Sequence, residues 1–84
     1  MTRILFFGRL GELAGASTLC CDLPEEACTI ADVRAWLAAR DPLLGEALYA
    51  PGVRAAVDQA FCVSDSDRAA GAAEIAFMSP LSGG

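Results

Sequence analysis

Apolar and polar positions alternate from the start of the chain. Thr2 to Phe7 puts Ile4 and Phe6 on one side of an extended backbone and Arg3, Leu5 and Phe7 on the other, with Gly8 as a stop. This pattern predicts a strand. Arg3 marks its side as the one nearer solvent, which leaves Phe7 as a large apolar group on a partly exposed face. Arg9 to Gly15 reads as a loop or a short helical turn. Ser17 to Leu23 reads as a second strand with Leu19, Cys21 and Leu23 on one face, stopped by Pro24. Two strands so close in sequence predict an antiparallel hairpin with a long connection.

From Thr29 the period changes to that of a helix. Thr29 is a good N-cap, Asp32 stands three residues on near the positive helix end, and Cys28 and Val33 occupy the staple positions. Ile30, Val33 and Leu37 form the apolar stripe, broadened by Trp36, and Pro42 ends the helix near Arg40. Leu43, Leu44, Ala47 and Leu48 predict one more short helix before Pro51-Gly52. Val53 to Val63 reads as a third strand, Ser64-Asp65-Ser66-Asp67 as a polar turn, and Glu74 to Met78 as the last strand. In that last strand Ile75 and Phe77 share one face. Glu74, Ala76 and Met78 share the other, which Glu74 marks as exposed, so that Met78 leans outward. A hairpin followed by helices and further strands predicts an α+β fold, a mixed sheet packed on one main helix.

Composition narrows the function. The 84 residues suffice for one domain. Residues 1–78 are read as that domain and 79–84 as an appended tail. No run of apolar residues is long enough for a membrane span, and the opening apolar segment is too short for a signal peptide, so a cytoplasmic location is expected. The net charge of −5 argues against nucleic acid and fits a partner with a basic docking face. All six basic residues are arginine, and histidine and lysine are both absent. The chain therefore lacks the usual general base near neutral pH and any side-chain amine. Cys20, Cys21, Cys28 and Cys62 lack the spacing of a zinc site. They are expected to be buried or half-buried thiols, with no metal and no bound cofactor.

The tail changes in character after Met78. Pro80 cannot donate to a strand ladder and holds Ser79 extended. Gly83 and Gly84 carry no side chains, so the last four residues form a thin rod reaching at most about 13 Å, with a carboxylate at its tip. That shape suits threading a terminus into a narrow active site of another protein.

Three segments carry a resemblance to a known family. Ile4-Leu5-Phe6-Phe7-Gly8-Arg9-Leu10-Gly11-Glu12-Leu13-Ala14-Gly15 resembles the first strand and loop of the molybdopterin synthase small, sulfur-carrier subunit. Ala56-Val57-Asp58-Gln59 is similar to its Ala-Val-Asn-Gln segment, and Glu74 to Gly84 to its last strand and diglycine tail. Four departures stand out. Ser79 replaces the first of two prolines, which implies a slightly less stiff rod. Asp58 replaces an asparagine, Gly11 stands where arginine is common, and Gly71-Ala72-Ala73 replaces a Gly-Asp turn.

The resemblance implies a β-grasp (ubiquitin-like) fold with an extended C-terminal diglycine tail. It implies that an E1-like activating enzyme uses ATP to adenylate Gly84, and that a sulfurtransferase supplies sulfur to form a thiocarboxylate. The carrier then docks on the large catalytic subunit, as a heterotetramer, and gives sulfur to cyclic pyranopterin monophosphate in molybdenum cofactor biosynthesis. The chain is not catalytic alone. Gly84 with Gly83 carries the chemistry, while Phe7, Phe61 and Met78 form the docking face and Pro80, Leu81 and Ser82 enter the partner's channel. Three other readings are a sulfur carrier for thiamine or tRNA thiolation, a ubiquitin-like interaction module with an inert tail, and a thiol redox protein using Cys20 and Cys21.

Overall fold

The computed structural model describes residues 1–79 of the chain. Its elements are β1 (Thr2–Phe7), α1 (Arg9–Ala14), β2 (Thr18–Cys21), α2 (Ile30–Arg40), α3 (Pro42–Leu48), β3 (Arg54–Val57), β4 (Ala60–Phe61) and β5 (Glu74–Met78). The sheet order is β2-β1-β5-β3-β4. The central pair β1–β5 is parallel, with Arg3 opposite Glu74 and Phe7 opposite Met78. The other pairings are antiparallel.

Alternation along β1 sends Ile4 and Phe6 inward, as predicted, and both are buried. In register with them, Leu19, Ile75, Phe77 and Ala55 complete the inner face. The stripe Ile30, Val33 and Leu37 of α2 packs on that face, with Leu10 of α1 and Leu44 and Leu48 of α3 filling the ends. Each of the fully buried large side chains contributes roughly 1.5–3 kcal/mol. Helix α3 approaches α2 closely because Gly45 has no side chain, and a Cβ there would overlap Ala38.

The N-terminus of α2 is fully capped. Thr29 and Asp32 form a reciprocal capping box, and Asp32 accepts also from the Cys28 N–H at 2.9 Å. The free N–H groups of Ile30 and Ala31 donate to the carbonyls of Asp67 and Asp65 at 3.1 and 2.9 Å. The polar turn expected at Ser64–Asp67 thus doubles as a cap for the main helix.

Two expectations about the strands need correction. The second strand is shorter than Ser17–Leu23. The stretch Val53–Val63 is a hairpin and not one strand, because Asp58 and Gln59 both take positive φ, 48° and 72°. Positive φ at both central residues makes a tight turn whose twist matches a hairpin. Asp58 holds it in place: its N–H donates to Glu74 O at 2.8 Å, and its Oδ1 accepts from the N–H groups of Ala73 and Glu74 at 3.0 and 2.9 Å. The same contacts fix the start of β5, so the Gly71–Ala73 departure leaves the register set.

One buried charge ties the layers together. Arg34 of α2 is 6% exposed. Its guanidinium donates to the Leu48 carbonyl at the end of α3 and to Asp65 at 3.2 Å, and lies 5.3 Å from the centre of the Phe77 ring. Nothing in the helical pattern distinguished Arg34 from a surface arginine.

Candidate functional site

The sheet face away from the helices carries the residues that alternation turned outward. One row runs Phe61, Ala56, Ala76, Leu5 across β4, β3, β5 and β1. The next row runs Arg54, Met78, Phe7. Phe7 is 50% exposed and Phe61 is 63% exposed. Met78 is half-buried, less outward than its pattern suggested. Ala56 and Ala76 are buried in the middle, so the expectation that the Glu74–Met78 side of β5 is open to water fails at Ala76. Alanine is small, and its larger neighbours in the rows cover it.

The face therefore has a shallow centre with aromatic and thioether groups around it. A shallow apolar centre ringed by larger side chains is the shape of a surface able to seat an apolar side chain. At its edge towards Phe61, the Arg54 guanidinium stands 5.4 Å from the Phe61 ring centre. At the opposite end Arg3 and Glu74 form an ion pair at 2.8 Å, which holds the Arg3 guanidinium above its ordinary pKa.

Strand β5 leads out of this face through Ser79. The Ser79 hydroxyl donates to the Phe7 carbonyl at 3.3 Å and accepts from the Arg9 N–H at 3.2 Å. A proline at 79 has no hydroxyl, so the departure read as loosening the rod instead clasps its root to the β1–α1 corner. On the other flank of Ser79, Leu10, Leu13, Leu43, Ala47, Pro51 and Val53 line an open apolar groove.

Of the residues predicted for the site, Phe7, Phe61 and Met78 come together on one face. Pro80, Leu81, Ser82, Gly83 and Gly84 lie outside the described residues. Arg54 and Ser79 were missed as contributors. The positive φ at Asp58, which folds Phe61 back beside Ala56, had no glycine to signal it.

The cysteines divide. Cys20 is exposed, against expectation, because it lies opposite Arg3 on the outer side of an edge strand. Cys21, Cys28 and Cys62 are half-buried, and burial pushes the thiols of Cys21 and Cys62 up in pKa. All four are free thiols. Among the described residues no group of three or more acidic, cysteine or histidine side chains is placed to hold a metal, and no helix is long and apolar enough to cross a membrane.

A family model described as the ThiS family matches residues 4–84. No curated protein matches the chain. Among solved structures, the crystal structure of SAMP1 from Haloferax volcanii is similar with a TM-score of 0.76 at 25% identity, covering 99% of this chain and 98% of that one. A crystal structure of the small archaeal modifier protein 1 of H. volcanii gives a TM-score of 0.75 at 22% identity, over 95% of this chain and 97% of that one. The five-stranded mixed sheet crossed by α2 is the β-grasp, ubiquitin-like fold.

Proposed function

Since the chain belongs to the ThiS family of ubiquitin-like sulfur carriers, we propose that its working group is the Gly84 carboxylate and that it serves molybdopterin synthase. The observation that carries this reading is the exit of β5 from an apolar face, clasped at Ser79, where the segment Pro80-Leu81-Ser82-Gly83-Gly84 begins. Five extended residues span at most about 17 Å. A docked body therefore sets how deep the tip enters a partner.

An α-carboxylate is ionised at neutral pH and resists nucleophiles. Attack of its oxygen on the α-phosphorus of ATP, in an E1-like activating enzyme, expels pyrophosphate and leaves an acyl-adenylate. The terminal sulfur of a sulfurtransferase persulfide then displaces AMP to give an acyl disulfide, and a second thiol of the partners cleaves its S–S bond, leaving the thiocarboxylate and a disulfide between the two partner thiols. On the large catalytic subunit this sulfur passes to cyclic pyranopterin monophosphate. Bases and cations for these steps belong to the partners, since this chain has neither His nor Lys. Phe7, Phe61 and Met78 supply docking, and Leu81 lies just inside the channel.

The test is the intact mass after incubation with activating enzyme, ATP and a sulfur source. A gain equal to exchange of one oxygen for sulfur, followed by conversion of the pterin when the large subunit is added, supports the reading. Gain without pterin conversion moves the carrier to thiamine or tRNA thiolation. No gain with a competent activating enzyme supports an inert tail.

The likeness to SAMP1 favours one further reading, a modifier that forms amide bonds to other proteins through Gly84. Without lysine the chain is then a donor and not a side-chain acceptor. Covalent adducts on lysines of other proteins, lost on deletion of Gly83 and Gly84, would establish it.

A further inference from the structure

The charge beside the exit of the tail opposes the charge of the chain. Overall the protein carries −5. The residue across from Met78 in the β3–β5 ladder is nevertheless Arg54, exposed and one residue before the strand's buried alanines. Its guanidinium stands over the Phe61 ring at 5.4 Å. A planar guanidinium resting on an aromatic face is already oriented, so less rotamer freedom is lost when it binds.

The other outer-face charges are occupied. Arg3 and Glu74 hold each other at 2.8 Å, and Asp58 is turned to the backbone N–H groups of Ala73 and Glu74. Among the described residues Arg54 makes no ion pair. It is thus a prepositioned cation set in an apolar patch at the root of the tail. Arginine and aromatic residues grouped in this way are the usual anchors of an interface.

We infer that Arg54 is a partner-recognition residue, and that the activating enzyme places a carboxylate against it at the mouth of the channel that receives the tail. The inference rests on the carrier reading above. An enzyme that binds ATP holds cations around the triphosphate, and these attract a body of charge −5. A carboxylate near them weakens ATP binding. Placed opposite Arg54 it meets the chain beside Met78, at the root of the tail and not at its reacting end. Long-range attraction and local recognition thus use opposite charges on this protein. The face of Arg54 fixes register, and the acidic body sets the rate of encounter.

The test is ATP–pyrophosphate exchange by the activating enzyme, with the full-length carrier as the varied substrate. Arg54→Gln is expected to raise KM for the carrier about tenfold with kcat unchanged, and Arg54→Glu to raise it further. Arg54→Lys keeps the charge without the planar stack and restores part of the loss. Arg68→Glu makes the same charge change on an exposed residue of the loop against the start of α2, and is expected to change KM little. Equal effects of Arg54→Glu and Arg68→Glu, or tighter binding of Arg54→Glu, overturn the inference and leave the carrier reading standing. No exchange with the unaltered carrier overturns both.

Discussion

The place where Gly8 would carry a side chain is filled by the hydroxyl oxygen of Ser79. Gly8 also sits at φ 66° and ψ −139°, a conformation essentially reserved for glycine. The corner between β1 and α1 and the root of the tail are therefore one unit. Gly8→Ala is expected to lower stability by about 1–3 kcal/mol and to release the Ser79 hydroxyl from Phe7 and Arg9. Urea denaturation measures the first effect. An unchanged midpoint would show that the corner refolds around the methyl group.

Arg34 predicts an asymmetry between the two ends of an ion pair. Arg34→Met strips the buried Leu48 carbonyl of its donor and is expected to cost about 2–3 kcal/mol. Asp65 is half in water, with 51% of its side chain exposed. Asp65→Asn is accordingly expected to cost less than about 1 kcal/mol. Equal losses in a denaturation series would assign the stabilisation to the charge pair and not to the carbonyl.

Acid stability should report on the main helix. The N–H groups of Cys28 and Thr29 hold the Asp32 carboxyl below its usual pKa of 3.8. A carboxyl depressed by folding stabilises the native state above its unfolded pKa, and that contribution is lost as pH falls through the lower folded value. The stability difference between wild type and Asp32→Asn is expected to be flat from pH 5 to 8 and to shrink below about pH 4. Thermal unfolding across that range checks it. A difference that grows in acid would reverse the sign and overturn the assignment.

Phe61 separates folding from docking. With 63% of its surface exposed, Phe61→Ser should change stability by no more than about 0.5 kcal/mol. If Phe61 anchors the docking face, the same substitution weakens partner binding by about 2 kcal/mol, or roughly thirtyfold. Phe7→Asp at the other end of the face is expected to act in the same direction. Calorimetric titration with the large subunit or activating enzyme tests both, and undiminished binding with an intact fold removes these residues from the interface.

Much of the architecture was legible because the chain states it locally. The alternation Ile4–Phe6 against Phe7 gave the faces of β1, and the pairing of Thr29 with Asp32 gave the start of α2. What stayed hidden depends on distant partners. Asp58 and Gln59 make a hairpin turn without glycine because β5 supplies the hydrogen bonds that hold Asp58. Arg34 is buried only because Leu48, Asp65 and Phe77 converge on it from three other segments. Ala76 looked solvent-facing beside Glu74, yet its neighbours on adjacent strands cover it. Cys20 looked like a small core residue, but the edge position of β2 leaves it in water. The outward position of Phe7 was readable from one strand's pattern alone. Arg54 required the register of β3 against β5.

The parallel pairing of β1 with β5 has a temporal meaning. Arg3 and Glu74, which meet across it, are separated by 71 positions in the chain. During synthesis the first strand must wait for the last before the middle of the sheet can close, a slow kind of contact to make. The clasp of Ser79 on Phe7 and Arg9 forms only when that wait is over. Until the last strand is in place, the corner at Phe7 and Arg9 has no Ser79 hydroxyl to hold, so the clasp is among the last contacts the chain can make.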